Sequence, residues 1–477
     1  MEAHGHRPMK RPEPSHSGQL PVDPSGRATA FRPFSAPTSP HMRAFHLAWL
    51  SLFSCFFATF SIPPLLPVIR HDLRLTPSDV GAAGVASFAG AILSRLAMGP
   101  ACDLVGPRVA SAVLSLLTAP AVLAAALVTT PAGFIAVRFF VGFSLANFVA
   151  NQFWMSSMFA AEVVGLANGV AAGWANVGSG LTQLVMPLIY ASLMKDLRLS
   201  SSLAWRLSFI VPAIFQIATA IMVLAFGQDL PNGNYKRNND YRKKKNQNNG
   251  NIKSSEEGLF DVLMHGLRNY RGWILGLTYG YCFGVELTTD NILAQYFYDR
   301  FGVRLEVAGL IAACFGAANC VTRPAGGVAS DILGRRFGMR GRLWGLWGVQ
   351  TAAGLLCVWL GRVGSLWGSI AVMCCFGALV QAAAGLTFGV VPFVSKRSLG
   401  VISGMTGSGG TVGAVVTQLL LFSGSGMSRQ TSISLMGLLM LVCTLPVALI
   451  YFPRWGGMFC GPSDDLDADE DDYWLLD

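Results

Sequence analysis

Arg95 and Arg323 each interrupt a long apolar stretch, and each opens the same pattern, R-x3-G-x3-D-x2-G. The two copies read "RLAMGPACDLVG" (95–106) and "RPAGGVASDILG" (323–334). A guanidinium stays charged and presents a planar fork that matches two oxygens. Each arginine precedes its aspartate by eight residues, so on a helix it lies about 12 Å deeper. With Asp103 and Asp331 at a watery mouth, both arginines fall near the middle of a hydrocarbon core about 30 Å thick. A charge there must face the protein interior or a wet cavity. Two facing cations repel unless something negative sits between them, and neither stretch has an acid near its middle. A small planar anion resolves the conflict. The competing reading makes each arginine a salt-bridge partner inside its own half.

"TYGYCFGVELTTDN" adds a second constellation. Tyr279, Phe283, Glu286 and Asp290 are spaced 4, 3 and 4, hence on one helical face. Glu286 or Asp290 is a candidate proton carrier. The alternative is an ion pair with Arg138 or Arg323 that ties the halves together. His41, His46, His71 and His265 show no ligand spacing, and the ten cysteines form no metal or disulfide pattern. No metal, cofactor or enzymatic constellation is expected.

The elements that must position these residues are membrane helices. The chain has 477 residues, 52% hydrophobic and only 13% charged, which excludes an ordinary soluble enzyme. Apolar runs at 45–69, 79–100, 109–129, 133–157, 163–192, 205–227, 272–295, 306–332, 343–360, 365–393, 399–423 and 431–452 predict twelve spanning helices. They are continuous rather than alternating, which excludes a barrel. With both termini cytoplasmic, inner segments hold 23 of the 35 Lys and Arg and outer loops nine, as the positive-inside rule requires. The basic run "RKKKNQNNG" then lies beside anionic lipid headgroups, not nucleic acid. The expected organisation is a disordered tail (1–43), a six-helix bundle (44–227), a basic linker (228–271), a second bundle (272–452) and an acidic tail (453–477).

Internal repetition supports two halves. Besides the arginine motif, Gly165, Gly169, Gly178, Thr182 and Gln183 recur as Gly400, Gly404, Gly413, Thr417 and Gln418. Spans 2 and 8 correspond, as do 5 and 11, so the two guanidiniums should approach across a pseudo-twofold axis, with substrate between the halves. Gly173, Gly178, Gly180, Gly409, Gly410 and Gly413 would let helices approach and slide. Asn176 and Thr411 occupy matching positions, and Asn176 is a candidate ligand.

The loop signature Gly99, Asp103, Gly106, Arg108, with its echo Gly327, Asp331, Gly334, Arg336, resembles that of the major facilitator superfamily. "AAGWANVGSG" and "SGMTGSGGTVGA" resemble the two signatures of its nitrate/nitrite porter branch. "YGYCFGVELTTDN", "AAGLTFGVVPF" and "FPRWGGMFCGP" are similar to stretches of the plant high-affinity nitrate transporters. The likeness covers residues 40–463 and departs at Ala175, Ser179, Ser408 and Thr411. It implies an all-α major facilitator fold with nitrate as substrate. It also puts Arg95 and Arg323 on the family's substrate-clamping arginines, with Phe148 and Tyr279 flanking the anion. It further implies a plant plasma membrane, the vacuolar membrane being the other candidate, and a small single-span accessory protein as partner.

Importing an anion against a negative interior costs roughly 2.3 kcal/mol per 100 mV. Accumulation therefore needs at least two positive charges entering with each anion, most simply protons. Proton symport of nitrate is the expected function. A nitrate/nitrite exchanger, another small-anion carrier and a nitrate-sensing receptor are the competing ones.

Overall fold

The computed structural model describes residues 20–34, 40–235, 259–303, 305–422 and 427–462. The first half holds helices α1 (Pro40–Leu65), α2 (Ser78–Val105), α3 (Pro107–Leu127), α4 (Pro131–Met158), α5 (Val164–Lys195) and α6 (Ser201–Phe226). The second holds α7 (270–301), α8 (305–337), α9 (339–360), α10 (Leu366–Phe393), α11 (Leu399–Phe422) and α12 (Arg429–Leu449).

Among the described residues ten helices are long and apolar enough to cross a membrane. The expected twelve differ from that number for two local reasons. α8 and α9 run on as one helical stretch, broken only at Gly338, whose φ of 61° lies in the left-handed region that suits glycine. α7 carries three acids and is split into Tyr270–Gly280 and Phe283–Phe301.

Hydroxyl caps start the helices that enter from the side away from the termini. The side chains of Thr76, Thr130, Ser200, Ser365 and Ser428 accept from backbone N–H groups of α2, α4, α6, α10 and α12. Each satisfies a donor that a helix start otherwise leaves orphaned. The largest hydrophobic cluster crosses from one half to the other, joining Leu52, Phe56 and Phe148 to Tyr279, Phe283 and Phe388.

Parts of both expected tails and of the expected linker have regular contacts. Residues 20–34 pack beneath α1 and α4. Asp23 and Arg27 pair at 3.0 Å, Ala28 bridges to Phe159, and Phe31 meets Phe45 and Phe159 edge-on. Residues 228–235 fold against the α2–α3 turn through Asp229, and Leu259–Arg268 is helical. Beyond α12, strands β1 (Tyr451–Phe452) and β2 (Gly456–Gly457) form a small hairpin. It is held by Arg271 Nε on Tyr451 O (2.6 Å), by Trp344 Nε1 on Met458 O (3.2 Å) and by buried Phe452 and Met458. In both tails a few aromatic and main-chain contacts outweigh a polar, proline- or glycine-rich composition. The basic run and the acidic end lie outside the described residues. Phe452→Ala is expected to cost about 3–5 kcal/mol, read as a lower melting temperature in detergent.

Candidate functional site

Arg95 on α2 and Arg323 on α8 are each 1% exposed. They share one aromatic platform, with guanidinium carbons 5.7 and 5.2 Å from the centroid of Phe283. Phe283 stacks on Tyr279 (5.1 Å) and on Phe148 (6.1 Å), while Phe388 meets Phe148 and Tyr279 edge-on. The break at Tyr281–Cys282 lies between the two α7 rings. Phe283 belonged to a predicted face, yet its central place depends on that break, which spacing does not reveal.

The two cations have different partners. Arg323 Nη2 donates to Glu286 at 2.9 Å, and Asn319 Nδ2 donates to the other carboxylate oxygen at 2.5 Å. The salt-bridge reading therefore describes Arg323. Arg95 has no acid. Its Nη1 donates to Gly407 O (2.6 Å) and Thr411 Oγ1 (2.7 Å), and its Nε donates to Leu145 O (3.2 Å). Of the two guanidiniums on this platform, Arg323 is thus neutralised in contact by Glu286 while Arg95 has only neutral acceptors. Several donors also lack an acceptor among the described residues: Tyr279 Oη, Arg323 Nε and Asn176 Nδ2. Burying such groups unpaired is costly.

Asp290 is accessible and sits beside Gly316, one turn from Glu286 toward the far side. It makes no ion pair among the described residues. Among the described residues Arg138 pairs with neither Glu286 nor Asp290, which sets aside that part of the ion-pair alternative. Among the described residues it donates to Thr59 O alone, at 3.3 Å.

The loop motifs differ from expectation. Asp331 is buried and Asp103 half-buried, and each caps a helix of the opposite half. Asp103 accepts from the backbone of Gly400 (3.0 Å) and Val401 (3.1 Å), at the start of α11. Asp331 accepts from Gly165 (3.0 Å) and Leu166 (2.7 Å), at the start of α5, and pairs with Arg342 at 3.0 Å. A helix N-terminus attracts a carboxylate because its first N–H groups are free. Arg108 instead ties α3 to Asp229 and to Leu224 O. Gly106 (φ 85°) leaves room for that carboxylate, Gly334 leaves room for Arg342, and Arg336 lies over Phe337.

Glycines close the halves on the side of the termini. Gly99 packs backbone to backbone on Gly400, and Gly165 on Gly327. Gly169, Gly173 and Gly404 sit against carbonyls of Arg323, Asn319 and Arg95. The same helix faces continue past the arginines as Gly81 and Gly84 on α2 and Gly180 on α5. There an added Cβ would meet nothing within 4 Å. The halves thus touch below the arginines and part above them. Gly178 packs on Phe53 of its own bundle, while Gly409, Gly410 and Gly413 pack on α7 within theirs. Those four are not part of the seam.

Comparison with known proteins places this architecture. Residues 48–417 match the Major Facilitator Superfamily. The fold is similar to a fucose:proton symporter of E. coli (TM-score 0.64, 14% identity, 86% of this chain and 99% of that one). It is also similar to the proton:xylose symporter XylE (TM-score 0.63, 13% identity, 86% and 96%). In sequence, high affinity nitrate transporter 2.7 of Arabidopsis thaliana is 63% identical over 98% of this chain and 94% of its own length. High-affinity nitrate transporter 2.3 of Oryza sativa is 56% identical (98% and 87%), and nitrate transporter 2.2 of Chlamydomonas reinhardtii 46% (95% and 87%). The chain belongs to the major facilitator superfamily, in the family of plant high-affinity nitrate transporters, and is a multi-pass membrane transporter rather than an enzyme.

Proposed function

We propose that the chain imports nitrate together with protons by alternating access, with Arg95 and Arg323 as the clamp. The observation that carries this reading is Arg95, a buried guanidinium that meets no acid among the described residues, in a site where Tyr279 Oη and Arg323 Nε lack acceptors. One monovalent anion with three oxygens supplies both the charge and the acceptors. The flat rings of Phe148, Tyr279 and Phe283 suit a flat guest, and the names of the relatives agree on nitrate.

The Arg323–Glu286 pair gives a route to coupling. A proton on Glu286 weakens its hold on Arg323 and frees that fork for the anion. Return of the anion to water lets the pair re-form. Asp290, one turn further out, is the second titratable group on the path. The terminus side carries most of the Lys and Arg and is therefore cytoplasmic, in the plasma membrane. The halves then meet on the cytoplasmic side in this conformation, and rocking would break the glycine seams to release substrate inward.

Reconstituted full-length chain should accumulate labelled nitrate when the outside is acidic. No flux above protein-free vesicles would end the transport reading, and accumulation indifferent to pH would end proton coupling. Glu286→Gln is expected to keep nitrate counterflow but lose its acceleration by external acid. An unchanged pH response would remove Glu286 from the coupling path.

A further inference from the structure

Arg138 is the third membrane-embedded arginine, and the clamp does not use it. On α4, Ala132, Ala136 and Phe140 form the exposed stripe, and Arg138 lies on the opposite side of the helix. Gly142 and Gly90 pack α4 tightly on α2, through Ser87 and Phe139. Phe134 and Val141 bury its neighbouring face. Arg138 is nonetheless half-buried rather than sealed. It sits on the face of α4 turned toward α1, through Thr59, and α2, outward of the level where the halves meet.

Its depth follows from α4 itself. Arg95 donates to Leu145 O, and Arg138 lies seven residues outward on the same helix, about 10 Å at 1.5 Å per residue. Nη1 donates to Thr59 O; Nε and Nη2 have no partner among the described residues. Among the described residues no carboxylate pairs with it, Asp290 included. A single 3.3 Å bond to a carbonyl does not require a permanent charge, since glutamine or lysine could make it. An arginine kept inside the membrane without an acid calls for an anion that visits.

We propose that Arg138 is an outer capture station for the substrate anion, two helical turns above the clamp. The inference rests on the anion-import reading and adds a second site to it. An anion entering from outside meets Arg138 while that side chain still touches water, loses part of its hydration there, and moves inward to Arg95 and Arg323. A lone cation at the mouth of a low-dielectric cleft raises the local anion concentration and the capture rate.

The test is labelled nitrate influx into cells expressing the full-length chain at matched surface abundance. Arg138→Gln is expected to raise KM roughly five- to tenfold with Vmax within about twofold, and Arg138→Lys to recover most of the loss. Wild-type KM should rise with ionic strength, and that dependence should flatten in Arg138→Gln. An unchanged KM, or a fall in Vmax alone, overturns the station and leaves the clamp standing. If Arg138→Gln does not reach the membrane, a wild-type KM indifferent to ionic strength overturns it equally. Failure of the import reading shows differently, as absent nitrate flux in the wild-type chain.

Discussion

Arg95→Lys is expected to lower nitrate kcat/KM roughly 10- to 100-fold, the equivalent of one or two charged hydrogen bonds. Lysine keeps the charge but loses the planar fork. Gly407 O and Thr411 Oγ1 share Nη1 while Leu145 O takes Nε, and a single ammonium nitrogen cannot stand at both places. Arg323→Lys should cost less on its own, because Glu286 still neutralises an ammonium there. Combining Arg323→Lys with Glu286→Gln should bring the loss up to that of Arg95→Lys. Labelled nitrate influx at matched surface expression measures all three. Equal tolerance of lysine at both positions would mean that charge alone, without fork geometry, holds the anion.

Gly400→Ala is expected to reduce transport at least about tenfold while leaving the protein folded. A methyl group there overlaps the Gly99 carbonyl and crowds the Asp103 carboxylate, 2.8 Å away. Relief requires α2 and α11 to separate, so the cytoplasmic side stays open. Gly327→Ala should act likewise through Gly165 on the other seam. The control is Gly180→Ala, whose Cβ meets nothing within 4 Å, and which should leave the cytoplasmic seam closed. A cysteine placed at Ser403, buried beside the seam, should react faster with a thiol reagent from the cytoplasmic side in Gly400→Ala. Unchanged reactivity together with full transport would show that the seam yields without opening.

Much of this was readable in the sequence for a definite reason. Lipid requires long apolar helices, and duplication copied the arginine motif, so span positions and the matched pair at 95 and 323 could be read directly. The positions of Glu286 and Asn319 around Arg323 needed coordinates, because spacing along α7 fixes a face but not which neighbour it meets. Asp103 shows the limit clearly. Its acceptors' partners are two backbone N–H groups almost three hundred residues away, and a backbone amide leaves no mark in composition. Residues 20–34 and 451–458 were hidden for the opposite reason. Their polar and glycine-rich surroundings dilute the few aromatics that anchor them.

The twin aspartate caps are not equal. Asp103 grips the start of α11 through two amides. Asp331 holds α5 in the same way, but Arg342 adds a bond to it and a second one, at 2.7 Å, to the Ala161 carbonyl across the divide, with Arg335 reaching the Glu162 carbonyl beside it. At the level of the clamp, the α2–α11 side depends on Arg95's own bonds to Gly407 and Thr411, which an arriving guest competes for. The molecule would therefore unzip from one edge, pivoting on the better-riveted α5–α8 side, rather than swing open like a symmetrical pair of doors.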